Sequence, residues 1–212
     1  MNLPTKITFS RIIATVVLIV ALFVMSLLEF ESPVLGNTQI NLVFLIVFVF
    51  FVIASYTDHL DGKLARKNNQ VTNLGKFLDP VADKLLINSM IIFLVAPSLF
   101  APYATGQVAK FSVWCAIIFI VRDIVVDALR FIAAQKNVVI AANIFGKLKT
   151  VFQMVAIGVV LLNGFPFNYF DSSWPVGLHI SDIIVYIATL TSFVSGVIYV
   201  WQNRGVLKET KE

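Results

Sequence analysis

An all-α integral membrane protein with six transmembrane helices is the fold class this sequence predicts, and three observations predict it. Of its 212 residues, 58% are hydrophobic and only 13% charged, far from the roughly 25% charged residues of a soluble domain. The apolar residues gather into six runs, at about 11–28, 40–57, 84–101, 111–132, 144–162 and 180–201, each near the ~17–25 residues that span a bilayer as a helix. Lysine and arginine collect at alternate ends of those runs, the pattern left when every second connection stays in the cytoplasm. No stretch remains for a soluble domain, so residues 1–212 read as one membrane domain. It divides into an interfacial segment 1–10, a six-helix bundle 11–201 and a tail 202–212.

In chain order, the segment NLPTKITFSR sets Leu3, Ile7 and Phe9 among polar residues and suits a position along the membrane surface before the first helix. The first run is longer than a signal-peptide core and is followed by no A-x-A-like cleavage site, so it reads as a retained helix. With the N-terminus inside, the inner ends hold basic residues from Lys6 and Arg11 to Arg204, Lys208 and Lys211. Only Lys110 lies near an outer end, which instead carries Glu29, Glu31, Asp171 and Asp182. Both termini are therefore expected in the cytoplasm. The net charge of +4 is spread over helix ends and implies no nucleic-acid partner. Cys115 is the one cysteine, so no intramolecular disulfide forms, and a buried thiol in a membrane helix is the expectation.

The second run ends in acid. A helix starting near Ile40 crosses the hydrocarbon in ~20 residues, which brings Asp58 to Arg66 to the cytoplasmic rim. Asp58 and Asp61 are three apart, Asp79 and Asp83 four apart, so each pair shares a helix face. Four ionised carboxylates beside apolar runs need a cation, and an all-oxygen donor set without a Cys or His cluster suits two hard divalent ions, Mg²⁺ or Mn²⁺. Gly62 and Ala65 continue the Asp58 face with almost no side chain, leaving room for a flat ligand. Arg66 offers a planar fork for phosphate, and Gly75 eases the turn into the third helix. Pro80 is expected in that helix's first turn, leaving Asp79 and Asp83 at its positive end. The short loop 67–74 returns the chain on the same side.

The fourth run contains Arg122, Asp123, Asp127 and Arg130, and the fifth opens with Lys147 and Lys149. Two arginines and two lysines exceed what local pairing needs, which suits a phosphorylated substrate. The sixth run offers only hydrophobicity, and His179 before it reads as a solvated or interfacial side chain.

The residues from Asp58 to Asp83 spell D-x-x-D-G-x-x-A-R, eight residues, then G-x-x-x-D-x-x-x-D. This resembles the signature of the CDP-alcohol phosphotransferases, membrane enzymes of phospholipid synthesis, at every fixed position. Asn2, Pro4, Thr8 and Arg11 resemble the segment that opens many members. R-D-x-x-x-x-x-x-R followed by G-K-x-K-T and Gln153 is similar to the branch whose acceptor is glycerol 3-phosphate, although an acid after the first Arg is more often Glu there than Asp. The resemblance implies transfer of a phosphatidyl group from CDP-diacylglycerol to glycerol 3-phosphate, with release of CMP. It implies metal ligands Asp58, Asp61, Asp79 and Asp83, with Asp83 also the general base. Gly62, Ala65, Arg66, Gly75, Thr8 and Arg11 would hold the CDP portion, and Arg122, Arg130, Lys147 and Lys149 the acceptor phosphate. It also implies a homodimer in contact with membrane lipids. Inositol phosphate, phosphatidylglycerol or serine are alternative acceptors. A divalent-cation transporter is the rival class, but the acids lie at one rim, no second D-x-x-D occurs and no matching spans are broken by Gly or Pro.

Overall fold

Six long helices carry the chain in a computed structural model that describes residues 3–28, 32–67, 73–95, 97, 109–136, 138, 140 and 144–207, without the side chains at 3, 4, 37, 59–67, 73, 74, 76 and 207. They are α1 Leu3–Leu27, α2 Leu42–Lys67, α3 Asn73–Val95, α4 Val113–Gln135, α5 Ile144–Leu161 and α6 Ile180–Gln202, one at each apolar run. Three of them, from Thr5 in α1, α5 and α6, are long and apolar enough to cross a membrane. The same composition is not reached in α3 and α4, which carry the charged clusters. In α2 the apolar part ends at Asp58.

Two boundaries differ from the sequence expectation. No break separates residues 3–10 from the first helix: α1 is continuous from Leu3. Of its polar residues Thr5 and Thr8 turn inward and are buried, as are Arg11 and Thr15 farther along α1, while Lys6 and Ser10 are exposed. Pro80 lies inside α3, not in its first turn. The helix starts about two turns earlier, so Asp79 and Asp83 are interior residues without the dipole advantage of a helix N-terminus. Proline there has no N–H to donate to the carbonyl one turn back.

The chain divides into two units, Met1–Lys110 with Gly158–Pro166, and Phe111–Ile157 with Phe167–Glu212. In the first, α1 packs on α3 and α2. Its outward face is apolar, with Val16, Val17, Val20, Phe23 and Val24 exposed, while its inward face is the polar stripe just named. That inversion of the soluble pattern suits a hydrocarbon solvent, where the surface is the apolar part. Helix α2 buries Phe44, Val47, Phe51 and Ala54 at three- and four-residue spacing, and Phe44 meets Phe93 of α3 at 5.2 Å between ring centroids. Gly158 of α5 belongs to this unit, and a Cβ there would stand 3.2 Å from the Phe48 ring. The connection before α2 contains a small antiparallel hairpin, Val34–Leu35 with Ile40–Asn41. Asn41 then caps α2, its Oδ1 accepting the Val43 N–H at 2.9 Å and the Ser32 hydroxyl at 2.6 Å. Asn163, in the left-handed conformation, accepts the Ala109 N–H at 3.0 Å and donates to the Gln39 carbonyl at 2.9 Å.

In the second unit α4 packs along α6. Helix α6 buries Ala188, Ser192 and Gly196 at four-residue spacing, together with Ser195 and Tyr199. Small residues let helix backbones approach in a membrane, where apolar area alone gives no drive to associate. His179 caps α6: its N–H donates to Asp182 Oδ2 at 3.2 Å and its Nδ1 lies 3.4 Å from the same carboxylate. It is a capping residue and not a free solvated one. Cys115 is buried on α4, as expected.

Candidate active site

The first unit holds the acids. Thr8 and Arg11 lie about one turn apart on α1, and each meets a carboxylate from a different helix. The Thr8 hydroxyl donates to Asp79 Oδ1 at 2.8 Å, and the Arg11 guanidinium pairs through Nη1 with Asp58 Oδ1. Arg11 is buried, and its Nε and Nη2 have no hydrogen-bond partner among the described residues. A buried guanidinium with unused donors is costly unless an anion meets it, which makes Arg11 suited to phosphate oxygens as well as to Asp58. Thr8 and Arg11, expected as nucleotide contacts, are thus set against the acids themselves.

Asp83 follows Asp79 by one turn of α3 and is half-buried, with further interactions of its own. Gly75, expected at the turn into α3, is a buried residue of its first turn. Asp61, Gly62, Ala65 and Arg66 continue α2 beyond Asp58 on one unbroken helix, as their spacing predicts. Their side chains lie outside the described residues, as does the loop 68–72. Among the described residues no three acidic, histidine or cysteine ligands form a metal-holding group. The donor chemistry of Asp58 and Asp79 nonetheless fits a hard cation, being carboxylate oxygen from two helices packed on α1 with no sulfur ligand. A cation held by Asp58 would have to share that carboxylate with Arg11.

The second unit holds the basic cluster. Asp123 of α4 accepts from Arg122 Nη1 at 3.0 Å and from Lys149 Nζ at 2.7 and 2.8 Å. Lys149 is buried on α5, so its ammonium is matched to a carboxylate and the trio carries one net positive charge. Part of the basic excess inferred from the sequence is therefore absorbed within the chain. Arg122 Nη2 donates to Ser195 Oγ of α6 at 2.8 Å, and Arg130 Nε to Tyr199 Oη at 3.0 Å. Arg122 and Arg130 thus share a face of α4, as their eight-residue spacing predicts. Lys147 is exposed near the start of α5. Gln153, one turn beyond Lys149, is fully buried, and neither of its amide atoms has a hydrogen-bond partner among the described residues.

Sequence reasoning missed the α6 partners, Ser195 and Tyr199. Hydroxyl residues in an apolar run carry no charge to mark them. The signal available was the small-residue spacing Ala188, Ser192, Gly196, which identifies the packed face on which they lie.

Comparison with known proteins matches these features to one family. The family described as CDP-alcohol phosphatidyltransferase matches residues 1–194. A CDP-diacylglycerol--glycerol-3-phosphate 3-phosphatidyltransferase of Bacillus subtilis (strain 168) is 37% identical over 207 residues, covering 98% of this chain and 97% of the relative. Proteins of the same name are 40% identical over 172 residues in Mycoplasma pneumoniae, covering 79% of this chain and 70% of the relative, and 32% identical over 200 residues in Rickettsia bellii, covering 93% of each. With the eight signature positions intact and the match running into α6, this chain belongs to the CDP-alcohol phosphatidyltransferase family.

Proposed function

We propose that this chain transfers the phosphatidyl group of CDP-diacylglycerol to sn-glycerol 3-phosphate, giving phosphatidylglycerol phosphate and CMP. The observation that carries the proposal is the intact signature, D-x-x-D-G-x-x-A-R then G-x-x-x-D-x-x-x-D, in a chain alike from end to end to relatives bearing that enzyme name. The arginines of α4 and the lysines of α5 favour a phosphorylated acceptor over an uncharged one.

In this reading Asp58, Asp61, Asp79 and Asp83 hold two divalent cations, Mg²⁺ or Mn²⁺. Bound there, the cations neutralise the diphosphate and the charge that develops on the departing CMP. Gly62 and Ala65 leave a bare helix face for the cytidine, Gly75 admits close approach, and Arg66, with Thr8 and Arg11, meets the diphosphate oxygens. Arg122, Arg130, Lys147 and Lys149 hold the acceptor phosphate, Lys149 while also tied to Asp123. Asp83 takes the proton of the attacking hydroxyl as the new phosphorus–oxygen bond forms and the bond to CMP breaks. The chain crosses the membrane six times with both termini in the cytoplasm, opens its site to the cytoplasmic rim and works as a homodimer.

The test is CMP release by the purified protein in detergent with CDP-diacylglycerol and Mg²⁺ or Mn²⁺. Glycerol 3-phosphate, inositol 1-phosphate, serine and phosphatidylglycerol are offered separately. Release chiefly with glycerol 3-phosphate supports the reading. Release with another acceptor reassigns the branch, and none with any acceptor from folded protein overturns the enzyme.

A further inference from the structure

Helix α6 has no charged side chain between Asp182 and Arg204, and its composition gives it no part in the chemistry. Its buried face, however, carries the groups that meet both arginines of α4. Ser195 Oγ accepts from Arg122 Nη2 at 2.8 Å. At Gly196 a Cβ would stand 2.8 Å from Arg122 Cγ, close to the root of that side chain, so glycine is what lets the arginine lie across α6. One turn on, Tyr199 Oη accepts from Arg130 Nε at 3.0 Å, and its ring centroid lies 5.5 Å from the guanidinium carbon. Tyr199 itself is buried, packed with Val126 and Leu129 of α4.

We propose that α6 is the positioning element of the acceptor site: Ser195 and Gly196 orient Arg122, and Tyr199 orients Arg130, so that a phosphate monoester meets two preset guanidinium groups. The inference rests on the reading that these arginines hold the acceptor phosphate. The chemistry of the partners supports it. A hydroxyl accepts a hydrogen bond without cancelling charge, so Tyr199 leaves Arg130 its full charge, whereas Arg122 shares its charge with the Asp123 carboxylate and Ser195 fixes only its second Nη. Tyr199 takes Nε, and the Nη groups of Arg130 make no hydrogen bond among the described residues. They are the two donors that match a pair of phosphate oxygens. A free arginine loses rotamer freedom on binding, and prior ordering by α6 moves that loss from the binding step into folding.

The test is steady-state CMP release by the full-length protein, with glycerol 3-phosphate and CDP-diacylglycerol varied separately. Tyr199→Phe keeps the ring and removes the acceptor oxygen, and Ser195→Ala removes one hydroxyl. Each is expected to raise the apparent KM for glycerol 3-phosphate roughly tenfold, the effect of losing one hydrogen bond to a charged group, with the KM for CDP-diacylglycerol and kcat little changed. Because Tyr199 acts through Arg130, Tyr199→Phe is expected to add nothing in an Arg130→Gln background. An unchanged acceptor KM in both hydroxyl variants, equal rises in both KM values, or full additivity with Arg130→Gln overturns the positioning role. If Arg122→Gln and Arg130→Gln themselves leave the acceptor KM unchanged, the acceptor-site reading fails and the inference with it. Large effects of the arginine variants without effects of the hydroxyl variants remove α6 alone.

Discussion

Asp58 and Asp79 are unequal targets for mutagenesis because their partners differ. Asp58→Asn leaves the buried Arg11 guanidinium beside a neutral amide, which destabilises the bundle by up to about 3 kcal/mol and confounds any loss of turnover. Asp79→Asn keeps an oxygen for the Thr8 hydroxyl. It is expected to change stability by less than about 1 kcal/mol while lowering CMP release at least roughly 100-fold, through loss of a metal-binding charge. A thermal melt in detergent beside the CMP assay separates the two effects. Asp61→Asn is expected to nearly abolish turnover in folded protein, and wild-type activity would remove Asp61 from the site. At the basic cluster, Arg130→Ala is expected mainly to raise the apparent KM for glycerol 3-phosphate, measured with CDP-diacylglycerol held saturating.

At the scale of elements, Asn163 ties the end of α5 to two connections of the first unit through the Ala109 N–H and the Gln39 carbonyl. Asn163→Ala leaves both groups unpaired at a left-handed backbone position and is expected to lower stability by about 2–4 kcal/mol with both KM values unchanged; a shifted KM would show that the tie reaches the chemistry. The positions of all six helices were legible because apolar runs of spanning length admit few other structures. The start of α1 was not. Thr5, Thr8 and Arg11 look like residues leaving the membrane until the acids they face are known. Pro80 misled in the same way, since a proline near acids and a glycine suggests a helix start, whereas α3 begins at Asn73. In the candidate site, charge made Asp58, Asp79, Arg122, Arg130 and Lys149 readable, because ionised groups in apolar runs need a reason. Their hydroxyl partners Thr8, Ser195 and Tyr199 depend on which helices pack together, which no local pattern encodes.

For the whole molecule, the proposed orientation, with both termini in the cytoplasm, rests on the distribution of basic residues and is open to a direct test. Cys115 is buried, and a Cys115→Ala background accepts single reporters at the exposed Val176 and at Gly205, where no atom crowds an added Cβ. Val176→Cys is expected to react with a membrane-impermeant maleimide on intact cells, and Gly205→Cys only after permeabilisation; the opposite pattern inverts the topology. The Arg11–Asp58 pair also bears on how the protein can be handled. Arg11 brings a positive charge to Asp58 from within the chain, so that one carboxylate of the site is paired whatever the buffer contains. A chelator is therefore expected to silence CMP release while lowering the melting temperature only by the share that the bound ions contribute, leaving the chain folded, and added Mg²⁺ to restore both. Such a protein can be purified idle, mixed with its lipid substrate, and started on demand by the ion alone.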